Sequence, residues 1–188
     1  GVQTCALPIY GSVQFVVTHP GQFVQLNTHF PLRWLASLRA SHGVKNIIGS
    51  VILARRDGEI KTPMDLIGKT VGAIDPLAFG GYLLGYKALS DAGLRPDSDL
   101  YLRFTGFPAD ALIYLLRENA VQAAIVPACL LEMMDEEGLI DKVDFVALIT
   151  RPESAPCVTS TRLYRDWSFA ALPTVSDEVR SEERRVGK

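Results

Sequence analysis

Four short stretches of this chain, and one cysteine pair, carry side chains or bare backbone suited to holding a small anion. In Asp75–Gly81 (DPLAFGG), Phe79 is followed by Gly80 and Gly81, a pair that would let a ligand approach backbone amides with no side chain in the way. Thr105-Gly106-Phe107 offers a hydroxyl at Thr105 and, at Phe107, a ring able to cover a bound molecule. Thr18 and His19 end an apolar run, and His19 would contact an anion more strongly when protonated. Ser160, Thr161 and Arg162 supply two hydroxyls and a planar fork of donors that matches carboxylate, sulfonate or thiosulfonate oxygens. Each stretch also has a plainer reading: a tight turn, a hydrophobic staple with its cap, a solvated histidine, an exposed arginine.

Enzymatic chemistry finds less support. A catalytic site needs a nucleophile with a positioned base, paired carboxylates or metal ligands, and none stands here at a recognisable spacing. His29 and His42 are isolated, and Asp135, Glu136 and Glu137 close a helical stretch as a solvated acidic face. No metal site and no cofactor are expected. Cys129 and Cys157 remain as a pair once Cys5 is set aside with the N-terminal end. An even pair permits a disulfide, a redox-sensitive dithiol or two buried thiols, and a bridge would need Cα atoms less than about 7 Å apart.

The chain has 188 residues, 48% of them hydrophobic, and a formal net charge of -2. That is the balance of a folded globular chain, and nothing in it points to nucleic acid. No apolar run reaches the roughly 18 residues of a membrane helix. Both ends read as non-native: Arg180 to Lys188 back-translates as AGA TCG GAA GAG CGT CGT GTA GGG AAA, which resembles a sequencing-library adapter, and Gly1 to Ile9 resembles its opposite partner. Tyr10 to Val179 is therefore read as the protein, with its true start and stop outside the sequence.

The elements that must position these residues follow from pattern. Ser12 to Val17 reads as a buried strand before the turn Thr18-His19-Pro20-Gly21, with a helix from about Gln22. GSVILARR (Gly49 to Arg56) is a β-branched strand ended by Asp57-Gly58. Thr62-Pro63-Met64-Asp65 fits a helix start with a capping box, stopped at Gly68. Beyond it strand and helix alternate: strands over Lys69 to Ile74, Leu100 to Phe104, Ala123 to Val126 and Phe145 to Ile149; helices over Gly81 to Ala92, Pro108 to Asn119 and Leu130 to Glu137. That is the signature of a parallel α/β sheet. Gly93 and Gly138 stand where left-handed C-caps fall. Cys157 to Trp167 reads as an extended return segment.

The order GSVILARR, DLIGKTVGAIDP, GGYLLGYKALSDAGL resembles the phosphate and phosphonate type of periplasmic binding protein. THPGQFVQL at Thr18, ACLLE at Ala128 and STRLYRDWSFA at Ser160 are closer still to the sensor domains of tetrathionate-sensor-like histidine kinases. The resemblance implies an α/β type II periplasmic-binding-protein fold: two lobes with a hinge that close around a ligand. It also implies that lobe one is truncated at its N-terminus, its first strand, helix and strand preceding Tyr10. Residues 10–68 would hold part of lobe one and the first crossover, 69–150 lobe two, and 151–179 the return crossover and lobe one, between adapter-like ends at 1–9 and 180–188. Implied with it are a small-molecule or inorganic anion ligand, a location outside the cytoplasm, and a membrane-anchored parent that would also carry any homodimer. The chain would be the input domain of a two-component sensor kinase, or instead the receptor of a phosphonate-type ABC importer, or a cofactor-biosynthesis enzyme on the same fold. Phosphonate-binding relatives have a Ser-Thr-Ser cluster where this chain has Leu77, Ala78 and Phe79. The sensor subgroup often has Arg where Pro127 stands and Pro where Arg165 stands.

Overall fold

The computed structural model describes residues 13–37, 47–151, 157–165 and 167–176; the adapter-like ends and His42 lie outside the described residues. In chain order the elements are β1 (Phe15–Thr18), α1 (Pro20–Asn27), β2 (Arg33–Ser37), β3 (Ile47–Ile48) and β4 (Ser50–Arg55). After a short 3-10 helix over Pro63–Leu66 come β5 (Thr70–Ala73), a π-helical turn at Phe79–Leu83, α2 (Leu84–Asp91), α3 (Pro96–Asp99) and β6 (Tyr101–Phe104). Then follow α4 (Ala111–Arg117), β7 (Ala123–Pro127), α5 (Leu130–Glu136), β8 (Phe145–Ala147), β9 (Tyr164–Arg165) and β10 (Ser168–Ala171). They divide into two compact units: Gly1–Ile47 with Tyr164–Lys188, and Ile48–Leu163.

The first unit is built on an antiparallel sheet of order β1-β10-β2, closed on one face by Phe15 stacked on Phe169 at 5.3 Å. Its helix α1 starts at Pro20, whose fixed φ and missing N–H suit a first helical position. His19 is the N-cap: its ring Nδ1 accepts the Gln22 N–H at 3.2 Å, and the ring stands edge-on to Trp167 at 5.8 Å. Accepting at Nδ1 requires the neutral imidazole, and burial pushes the His19 pKa below its ordinary value in the same sense. The capping bond is therefore present above the ordinary histidine pKa and lost as pH falls through the lower, folded-state value.

The second unit carries a five-stranded sheet of order β6-β5-β7-β4-β8. It is mixed rather than parallel throughout. β5 runs parallel to β6 and β7, whereas β4 runs antiparallel to both β7 and β8. Strand-helix alternation reveals parallel crossovers, and it is silent on the direction of a strand that joins the sheet antiparallel. β4 is such a strand, and it lies within the compact unit that runs from Ile48 to Leu163. Its side chains explain why it belongs there. Val51 and Leu53 pack to one face with Leu112, Leu116, Val126 and Met134; Ile52 and Ala54 pack to the other with Val71, Leu89 and Ile125. A strand buried on both faces reads as a continuous apolar run, and its period of two sends alternate residues into two separate cores.

Local chemistry sets the helix ends. The Asp65 carboxylate accepts from the N–H groups of Lys61 and Thr62 (3.0 and 2.8 Å) and from the Thr62 hydroxyl, which holds its pKa below the usual carboxylate range. The helix expected from Gly81 begins earlier, in the π turn, and ends at Gly93 in the left-handed region (φ +98) with Gly93 N–H on Ser90 O. The helix expected over Pro108 to Asn119 is shorter, as α4, and the Asp110 carboxylate caps the Ala111 N–H at 3.0 Å.

Two outcomes follow. Leu112→Ala, in the fully buried core, lowers the unfolding free energy of the second unit by about 2–5 kcal/mol in urea titrations, whereas Val143→Ala, at a side chain 58% exposed, changes it by less than about 0.5 kcal/mol. Lowering pH from about 7 to about 5 speeds amide exchange across α1 beyond the intrinsic pH effect, and the acceleration disappears in His19→Asn, whose cap does not titrate in that range.

Candidate functional site

β5, β6 and β7 are parallel, so their carboxyl ends share one edge of the sheet, and β4, running the other way, begins at that edge with Ser50 opposite Pro127. Such an edge is where open α/β sheets bind ligands. The turn Asp75–Gly81 leaves β5 here and Thr105-Gly106-Phe107 leaves β6, its Thr105 and Gly106 amides donating to Ala73 O and Ile74 O at 3.1 and 2.8 Å. The Ala128 amide following β7 donates to Gly49 O at 3.0 Å.

The return segment is tied into the same edge. Ser160 N–H donates to Ser50 O and Ser50 N–H to Thr161 Oγ1, each at 2.9 Å. Ser160 Oγ accepts from Ile52 N–H at 2.9 Å and donates to Ile149 O at 2.7 Å. The Ser50 hydroxyl in turn donates to Gly80 O. Phe79, Gly80, Gly81, Thr105, Ser160, Thr161 and Arg162 thus converge on one edge of the second unit. Thr18 and His19 belong to the first unit, where Thr18 is buried and His19 is committed to its N-cap.

Convergence does not give each residue the same role. Ser160 and Thr161 are buried and their hydroxyls are bonded within the protein, so they act as struts. Gly80 and Gly81 are buried too. A Cβ on Gly80 would come within 2.9 Å of Ile48 Cγ2 and 3.0 Å of Gly49 O, and one on Gly81 would run into the Ile74 side chain. Their first use is therefore close packing of the π turn on the sheet. On the same edge lie the half-buried Thr105 and the exposed Arg162, Leu77 and Phe107, the last 79% exposed. Tyr82 closes the turn from below, edge-on to Phe104 at 5.0 Å, and burial above all pushes its hydroxyl pKa up to about 12.

Cys129 and Cys157 are joined as a disulfide with Cα atoms 5.1 Å apart. It ties the segment after β7 to the start of the return segment. Ser50 is the participant that sequence reading passed over. Its signal was a lone hydroxyl opening an otherwise apolar run, since a fully buried Ser must find partners. Among the described residues no group of three or more His, Cys, Asp and Glu side chains could hold a metal ion, and no helix is long and apolar enough to cross a membrane.

The family model described as the periplasmic substrate-binding protein of phosphonate ABC transporters matches residues 7–185. The tetrathionate sensor histidine kinase of Salmonella typhimurium is 70% identical over 179 residues, 94% of this chain; the chain spans 30% of that relative's length. Among solved structures, an ATP-bound protein of Xanthomonas citri superposes with a TM-score of 0.75 at 17% identity, over 98% of this chain and 66% of that one. A binding-protein component of an ABC phosphonate transporter from Pseudomonas aeruginosa gives 0.66 at 15% identity, over 96% of this chain and 57% of that one. Likeness at such low identity speaks for the fold, the two-unit α/β fold of periplasmic binding proteins. With the family model covering nearly the whole length, this chain belongs to the periplasmic substrate-binding protein family of phosphonate ABC transporters and is an extracytoplasmic small-ligand-binding domain.

Proposed function

We propose that this domain is the input module of a membrane-anchored two-component sensor histidine kinase, and that its ligand is a small oxyanion of sulfur held at the carboxyl edge of the second unit's sheet. The observation that carries the reading is the 70% identity to a tetrathionate sensor histidine kinase across 94% of this chain. The edge suits such a ligand: the hydroxyl of Thr105 and the fork of Arg162 offer donors to several oxygens, while exposed Leu77 and Phe107 offer apolar cover to a polarisable chain of sulfur atoms. The kinase activity, the membrane anchor and any dimer belong to the parent, and the domain itself contributes binding.

A second reading, receptor of a phosphonate importer, draws on the family model. Against it, Leu77, Ala78 and Phe79 occupy the position of the hydroxyl cluster in phosphonate-binding relatives, so fewer donors meet a phosphonate group. The region of the gene beyond Val179 separates the two: a membrane helix and kinase core belong to a sensor, a stop codon to an importer component.

Calorimetric titration of the domain with tetrathionate, thiosulfate, methylphosphonate and phosphate tests the ligand. Tetrathionate binds most tightly on this reading, and Arg162→Ala weakens it about tenfold or more while leaving the melting temperature unchanged. Methylphosphonate as the tightest ligand would transfer the domain to the importer reading, and no binding of any of the four would remove the anion site.

A further inference from the structure

The return segment carries Arg162 to the ligand edge, and it is held there under strain. Two hydrogen bonds and one covalent bond fix its start: Val158 N–H donates to Glu132 Oε1 at 2.8 Å, Arg151 N–H donates to Thr159 O at 3.0 Å, and Cys157 is bonded to Cys129. The backbone of Cys129 stands in the left-handed region at φ +68, which a residue with a Cβ rarely adopts. Local strain of this kind persists only where surrounding bonds enforce it, and here the enforcing bond is the disulfide.

We propose that Cys129–Cys157 is a redox clasp, opened by small thiols and closed by small disulfides, that governs whether the return segment stays docked on β4. Cys157 is the half-buried partner, next to Val158, whereas Cys129 is buried. A thiolate RS⁻ attacks Cys157 Sγ, the bond to Cys129 breaks, and Cys129 leaves as a thiolate that takes up a proton. A second RS⁻ attacks the sulfur of the mixed disulfide that came from the reagent, RSSR departs, and Cys157 is released as a thiol after protonation. The protein gains two electrons and two protons, and two RSH become RSSR. Once open, the covalent tie at the start of the segment is gone, and the strained backbone at Cys129 favours lifting off. Ser160 and Thr161 then leave Ser50 and Ile52, and Arg162 leaves the edge. That this lowers ligand affinity rests on the proposed function; the clasp itself does not.

Amide exchange read by mass spectrometry, without ligand, before and after reduction with dithiothreitol, tests the clasp. Expected is an increase of about tenfold or more at the amides of Ser50, Ile52 and Ser160, with β5 and β6 unchanged, reversed by oxidised glutathione. Unchanged exchange on reduction would overturn the proposal, and so would an equal rise throughout the second unit, which marks a staple for the whole unit. Cys129→Ser with Cys157→Ser should exchange like the reduced protein and ignore dithiothreitol; exchange like the oxidised protein would count against the clasp. If that double variant does not fold, the reduction experiment on the unaltered chain decides alone. Failure of all four anions to bind would remove the proposed function and leave this test standing.

Discussion

The antiparallel insertion of β4 between β7 and β8 organises the second unit. It places Val51, Ile52 and Leu53, each at most 1% exposed, between two cores, and burying each such side chain stabilises by about 1.5–3 kcal/mol. It also places the strand's first residue, rather than its last, at the edge where the parallel strands end. Ser50 is fully buried there, and a hydroxyl and amide out of water must be satisfied by protein groups. The groups that satisfy them are Gly80 O, Thr161 Oγ1 and the backbone of Ser160. One buried polar residue at the start of an apolar strand thereby draws the turn after β5 and the return segment to the same place.

The glycines of that turn show how packing and binding share residues. Gly80 and Gly81 look like a device for admitting a ligand, yet the positions where their Cβ atoms would stand are filled by Ile48, Gly49 and Ile74. The close fit lowers the turn onto the sheet, so the glycines serve packing first. The same economy holds for Ser160 and Thr161, which support Arg162 rather than join it.

His19 illustrates the opposite outcome in the first unit. Its type suggests a protonatable contact for an anion, but its ring accepts a backbone N–H and is partly withdrawn from water. Both conditions favour the neutral form, which is the wrong form for attracting negative charge. Residue type gave the chemistry available, and the hydrogen bond chose among its uses.

What the sequence by itself determined was local: strands where β-branched residues cluster, the helix ends at Gly93 and Gly138, the Asp65 cap, and the apolar run of β4. Such features depend on neighbours a few residues apart, so periodicity and capping chemistry report them. The family resemblance was also legible, because it rests on the order of motifs such as GSVILARR and STRLYRDWSFA. Tertiary structure alone decided the direction of β4, the joining of Cys129 to Cys157 and the role of Ser50 as the knot between β4, the π turn and the return segment. Each is a pairing between residues 28 or more positions apart. No local preference encodes such a pairing: it is fixed by which apolar faces can be buried together, and by which polar groups must then find one another out of water.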